Sequence, residues 1–206
     1  MLIHKLAGSS FLVLLTSLVA VPVAAQPKFA PIPPDQTGGK ASGLELRIVR
    51  YDGSTNGVLE VEVKNTRAEP TDFSARGLYF VPTGNADEAP QRLGAVGPFN
   101  VKTQDGWQRK DRLSLAPDET ARLKLDVYCI DSHRASPSSS TSFRVAKDRV
   151  PAKVASEILD DATRAAARHG GVSAPAAKAE VQREVWKNRD KKWIKLDGEG
   201  RQELGK

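Results

Sequence analysis

The sequence predicts a mainly β protein: an antiparallel β-sandwich with two C-terminal α-helices packed on it. Three observations carry this reading. Between residues 44 and 146, apolar side chains recur at every second position in short runs separated by turn clusters, as in strands with one dry and one wet face. From residue 147 the period lengthens to that of a helix. Between the two regimes lies Leu115 to Asp131, LAPDETARLKLDVYCID, which holds a turn, a long alternating run and the only cysteine.

The elements follow in order. Lys5 gives a short basic start, Phe11 to Ala20 (FLVLLTSLVA) an apolar run, and Val23-Ala24-Ala25 small residues for a cut before Gln26. That is the layout of an export signal, and the run falls short of the roughly 20 apolar residues a membrane span needs. A cleaved leader over 1–25 and a secreted or periplasmic product are expected. Residues 26–43 (QPKFAPIPPDQTGGKASG) have Pro and Gly and no apolar period, so they read as a flexible linker.

The sandwich is expected over 44–146. Leu44, Leu46 and Ile48 alternate with Glu45 and Arg47, and Leu59, Val61 and Val63 with Glu60, Glu62 and Lys64. The cluster DGSTNG between them predicts a hairpin. Further strands are read at Gly77–Val81, Leu93–Val96, Phe99–Val101 and Trp107–Leu115. Ala116-Pro117-Asp118-Glu119 then suits a turn, with Pro second and Asp third. From Thr120, Leu123, Leu125, Val127 and Cys129 share one strand face, which makes the cysteine a small buried hydrophobe. Phe143–Val145 is a short last strand.

Over 147–197 two helices are expected. In the first, Val150, Val154, Ile158 and Ala162 lie four apart, Asp148 can cap, Pro151 sits in the first turn and Gly170-Gly171 end it. The second, about Ala177–Lys195, sets Val181, Val185, Trp186 and Trp193 against Lys187, Arg189, Lys191, Lys192 and Lys195. Docking by the Trp side is preferred to peripheral membrane contact. Residues 198–206 are expected to fray.

The strand VEVKNTRAEPTDF paired with the later LAPDETARLKLDV resembles immunoglobulin-like and fibronectin-like modules, in which a strand ending in Asn and a Leu-x-Pro-x-Glu turn frame a sandwich. This resemblance covers roughly Leu44 to Val127 and implies an immunoglobulin-like fold.

Chemistry is sparse. The formal charge of +6 is spread among interleaved acids and bases, which favours a solvated exterior, and no nucleic-acid-binding motif appears. A single cysteine in an exported chain excludes an internal disulfide. A metal site needs three or four converging ligands; Cys129, Asp131 and His133 are the only local cluster and the second helix adds no Cys or His, so no metal is expected. A Cys129–His133 dyad fails on reach, since four residues of extended strand span about 13 Å. One pattern remains: Tyr128-Cys129 ends a strand, a helix intervenes, and Val181-Gln182-Arg183-Glu184-Val185-Trp186 follows. The order resembles the thioester domains of bacterial surface adhesins. By that resemblance Cys129 is the thiol, Gln182 the acyl donor and Trp186 the packing residue, although Val181 and Glu184 depart from the motif's Thr and Ala.

The leading expectation is an exported, non-catalytic binding or accessory module of the cell envelope or extracellular space. It needs no cofactor and no metal, and its partner is an unknown protein or envelope polymer rather than nucleic acid. The alternatives are a Cys129–Gln182 thioester that acylates an amine on a partner, and a basic C-terminal helix (Lys187, Arg189, Lys191, Lys192) that tethers the domain to anionic envelope material.

Overall fold

A computed structural model of the chain describes residues 27–35, 42–54, 56–171, 174–191 and 196–198. The expected leader over 1–25 lies outside the described residues, as do Trp193 and the tail from 199. The protein is mainly β and antiparallel, with two C-terminal helices. Its strands are β1 (Ala30–Pro31), β2 (Leu44–Tyr51), β3 (Val58–Asn65), β4 (Thr71–Phe73), β5 (Tyr79–Pro82), β6 (Leu93–Thr103), β7 (Gly106–Lys110), β8 (Leu113–Leu115), β9 (Thr120–Cys129) and β10 (Phe143–Val145). An eight-stranded sheet runs β1-β2-β3-β9-β6-β5-β10, with β7 also paired to β6, while β4 and β8 form a separate two-stranded sheet.

The alternating pattern places β9 in the middle, between β3 and β6. Leu123, Leu125, Val127 and Cys129 all face the main core and are at most 1% exposed. They meet Leu59, Val61 and Val63 from β3 and Phe99 and Val101 from β6. The sheet curls until its two ends approach: Tyr51 of β2 and Phe143 of β10 stack edge to face at 5.6 Å. The core is thereby enclosed on both sides by one wrapped sheet, and the small β4–β8 sheet adds Phe73 and Leu115 to it.

Three sequence expectations change, each for a local reason. Leu93–Val96 and Phe99–Val101 are parts of one strand, β6, whose register breaks between Ala95 and Phe99. Gly97 takes a positive φ of 65° there, before a cis Gly97–Pro98 bond. This irregularity lets β6 pair with β5 before it and β7 after it. Residues 107–115 are two strands, not one, because β8 leaves the main sheet to pair with β4. The expected linker is not loose throughout: Ala30 and Pro31 add to the edge at β2, and Ile32 is 2% exposed in the core. Proline suits that place because an edge strand can spare its missing N–H.

The two motifs that suggest a sandwich frame do touch. The Asn65 side-chain amide donates to the carbonyls of Glu69, Leu115 and Ala116 at 2.8, 3.0 and 3.1 Å. Its own oxygen accepts from the Arg67 N–H at 2.9 Å. Across the turn, the Glu119 carboxylate accepts from the Ala116 N–H at 2.7 Å. Asp118 adopts a φ of 59°, a left-handed position that Asp tolerates better than bulkier residues.

Helix α1 (Ala152–His169) begins after Pro151, without a side-chain cap, so the capping role expected of Asp148 is not taken up. It ends as expected at Gly170, which is left-handed with a φ of 75°. Helix α2 covers Pro175–Lys191, starting earlier than the sequence suggested, and residues 192–195 of the expected helix lie outside the described residues. The two pack through small residues, Ala162, Ala165 and Ala177, with Val181 and Val185, onto Tyr128 on the outer face of β9. Alanine at these contacts allows close approach of the helices. Beyond Asp126, Lys124 and Lys102 continue that face outside the helical packing.

Candidate functional site

The polar chemistry of the protein collects where β9 ends. Strand β3 stops pairing at Val58, opposite Asp126. From there the edge of β9 that faced β3 has no partner strand. The first of its backbone groups, the Val127 N–H, reaches the carbonyl of Gly57 at 3.0 Å. The next belong to Cys129, and α2 supplies their partner. The Gln182 oxygen accepts from the Cys129 N–H at 2.9 Å, and the Gln182 amide donates to the Cys129 carbonyl at 2.7 Å. A primary carboxamide presents one acceptor and one donor group side by side, so a single side chain does here what a neighbouring strand would do.

Sequence reasoning placed Cys129 and Gln182 together through the thioester resemblance, and the fold brings them together across 53 residues. The contact, however, is between the carboxamide and the cysteine backbone. Gln182 is 4% exposed, so its carboxamide is buried against the strand end. The Cys129 side chain is fully buried in the main core. Burial, and secondarily the negative charge of Asp131, pushes its thiol up to about 12. A thiol in that state is almost wholly protonated at neutral pH, whereas nucleophilic attack needs the thiolate. Trp186 is half-buried against the same core, and its indole N–H donates to the Gln91 oxygen at 3.2 Å.

Adjacent to this clasp is a buried ion pair that the sequence reading missed. Arg92, just before β6, donates from Nε and Nη2 to the two oxygens of Asp131 at 2.9 and 2.5 Å, and its backbone N–H adds a third bond at 3.1 Å. The side chains are 2% and 1% exposed. Burial acts to raise the Asp131 carboxyl, but the hydrogen bonds and charge of Arg92, with a smaller contribution from Arg189, outweigh it and hold the group below the usual carboxylate range. A sequence signal existed only in retrospect: Arg92 directly precedes an apolar strand, and Asp131 follows one.

Arg189 is 8% exposed. This corrects its expected place on a basic outer face of the second helix. Gln182, Val185 and Arg189 are spaced three and four apart and so share the side of α2 that meets the sheet. Lys187 is exposed and lies 3.5 Å from Glu184 one turn earlier. The side chain of Lys191 and all of Lys192 lie outside what is described.

Next to the ion pair is a concavity of about 250 Å³ lined by Arg92, Arg134 and Arg144 with the 82–90 loop. Each guanidinium is held from behind. Arg144 bonds Asp197 at 2.6 and 3.2 Å, Arg92 bonds Asp131, and Arg134 donates to the carbonyls of Ala86 and Ala89 at 2.5 and 2.9 Å. The arginines are thus fixed in place. A second cavity, between the helices and Tyr128 and Ile130, is apolar and has only about 30 Å³, room for one or two waters. It is too small for a substrate.

Among the described residues no group of three or more His, Cys, Asp or Glu side chains is arranged to hold a metal ion, and no helix is long and apolar enough to cross a membrane. The chain matches no known protein family, no curated protein and no solved structure.

Proposed function

We propose that the protein is an exported, non-catalytic binding or accessory module, immunoglobulin-like in general character, that takes a small anionic group in its arginine-lined concavity. The observation that carries this reading is the convergence of Arg92, Arg134 and Arg144 on one concavity of about 250 Å³. That volume lies below the roughly 300–1,000 Å³ of drug-sized ligand sites, so it suits a single carboxylate- or phosphate-sized group rather than a large substrate. Arginine forks suit such groups because they donate two parallel hydrogen bonds.

Thermal unfolding in citrate or phosphate, against chloride at equal ionic strength, tests it. A ligand that binds only the folded state at 100 times its dissociation constant adds about 2.7 kcal/mol. The wild type is therefore expected to melt several degrees higher in the polyvalent anion, and Arg144→Gln to lose most of that rise while keeping its melting temperature in chloride. Equal shifts in both proteins would remove the site.

The convergence of Gln182 on Cys129 favours one second reading, an internal thioester that acylates a partner amine. In it the Cys129 sulfur attacks the Gln182 carboxamide carbon, the C–N bond breaks and ammonia leaves. The buried, protonated thiol and the engagement of the carboxamide with backbone support the first reading over this one. Intact mass separates them. A free Cys129 gives the full mass and takes up one iodoacetamide at pH 8 only after denaturation. A mass short by one ammonia, restored by methylamine, would establish the thioester instead.

A further inference from the structure

The helices cover only part of the outer face of the sheet, and the uncovered part has an uneven charge pattern. On the β2–β3 side its charges are matched: Arg47 pairs with Glu62, and Glu60 is held between Arg50 and Arg122 at 2.6 and 2.7 Å. On the β6–β7 side they are not. Strand registry sets Lys102 opposite Trp107 and Lys124 opposite Asn100, and residues directly opposite share a face. The Lys124 ammonium lies 4.2 Å and that of Lys102 5.7 Å from the Trp107 ring centroid. Neither lysine has a carboxylate partner among the described residues. The nearest outward acid on β9, Asp126, is already engaged by Arg109 at 3.2 Å and Lys178 at 3.5 Å. Trp107 is 36% exposed, the exposed large hydrophobic residue of the described chain.

Trp107 sets an aromatic surface beside two ammoniums with no carboxylate among the described residues, and their charge fixes the sign of a partner. From this juxtaposition we infer that the Trp107, Lys102 and Lys124 surface docks an anionic polysaccharide that carries its carboxylates on the sugar rings. The indole offers a flat face to the apolar side of one pyranose. Lysines within 6 Å of the ring centroid place positive charge beside that same sugar, which suits a uronate. The face is separate from the arginine concavity and does not depend on it. It also relocates the anionic contact expected of α2, since Arg189 there is buried.

Affinity electrophoresis of the mature chain through gels containing polygalacturonate tests the inference, with dextran and polyphosphate as comparison polymers. The wild type is expected to be retarded by polygalacturonate, less by polyphosphate at equal charge, and not by dextran. Trp107→Ala is expected to weaken the interaction about tenfold, and Trp107→Tyr, which keeps an aromatic face, to recover most of it. Lys102→Gln with Lys124→Gln is expected to weaken it similarly and to flatten its salt dependence. The substituted positions are on the surface, and unchanged melting temperatures verify that the variants are folded. No retardation of the wild type overturns the inference. So do retardation by polyphosphate equal to that by polygalacturonate, binding by Trp107→Ala equal to wild type, and a Trp107→Tyr variant no better than Trp107→Ala.

Discussion

Asp131→Asn is expected to destabilise the protein by about 3–5 kcal/mol, the cost of breaking a buried ion pair by removing one charge. Arg92 would remain 2% exposed with its guanidinium facing a neutral amide, and the pair's three hydrogen bonds could not all be kept. Urea unfolding measures it as a fall in midpoint at unchanged slope. The double variant Arg92→Met with Asp131→Leu should be closer to wild type than either single change, because a matched apolar pair leaves no orphan charge. The pH dependence follows from the same pair. The folded carboxyl is held below its ordinary value, so its contribution is complete above the unfolded value of about 3.9 and is lost as pH falls through the lower, folded value. Acid unfolding of the wild type is expected to begin below about pH 4, and Asp131→Asn to lack that component.

Gln182→Ala is expected to cost about 2–6 kcal/mol. Two backbone groups of Cys129 lose their partners at a buried strand end, and each unsatisfied group costs about 1–3 kcal/mol. Gln182→Glu separates this role from general packing. A carboxylate can still accept from the Cys129 N–H but cannot donate to its carbonyl, so it is expected to be about as costly as alanine despite nearly equal shape. Amide hydrogen exchange at Cys129 provides the local readout: protection should fall in Gln182→Ala more than at Leu123 in mid-strand. A Gln182→Glu protein as stable as wild type would show that the clasp matters little.

The architecture was legible where local pattern decides structure. The period-two run ARLKLDVYC gave both the central strand and the inward face of Cys129, and the period-four run from Val150 with Gly170 gave α1 and its end. Pairing was less legible. Nothing local in Leu93–Thr103 announces that one strand changes neighbours at Gly97–Pro98, because a change of partner depends on strands far away in sequence. The same limit applied at the site. Arg189 read as a surface base and Arg92 drew no reading at all, since burial of a charge depends on a counter-charge that only the fold delivers, Asp131 in this case. Gln182 was singled out as an acyl donor through its resemblance to a motif. Its observed bonds are to backbone, a use that any helix glutamine could have and that leaves no mark in composition.

The strand end closed by Gln182 also bears on how the chain assembles. Its completing group is 53 residues downstream, and the connections to the final described residues reach further still: the Asp197 N–H donates to the Tyr79 hydroxyl 118 positions away, and its carbonyl accepts from Arg92 105 positions away. Contacts so distant in sequence carry a loop-closure cost and form late. A chain that emerges N-terminus first therefore waits with Tyr128 uncovered and the Cys129 edge open until α2 arrives. Over that interval the nascent sheet is a template for pairing with another chain, and the arrival of α2 is what ends its vulnerability.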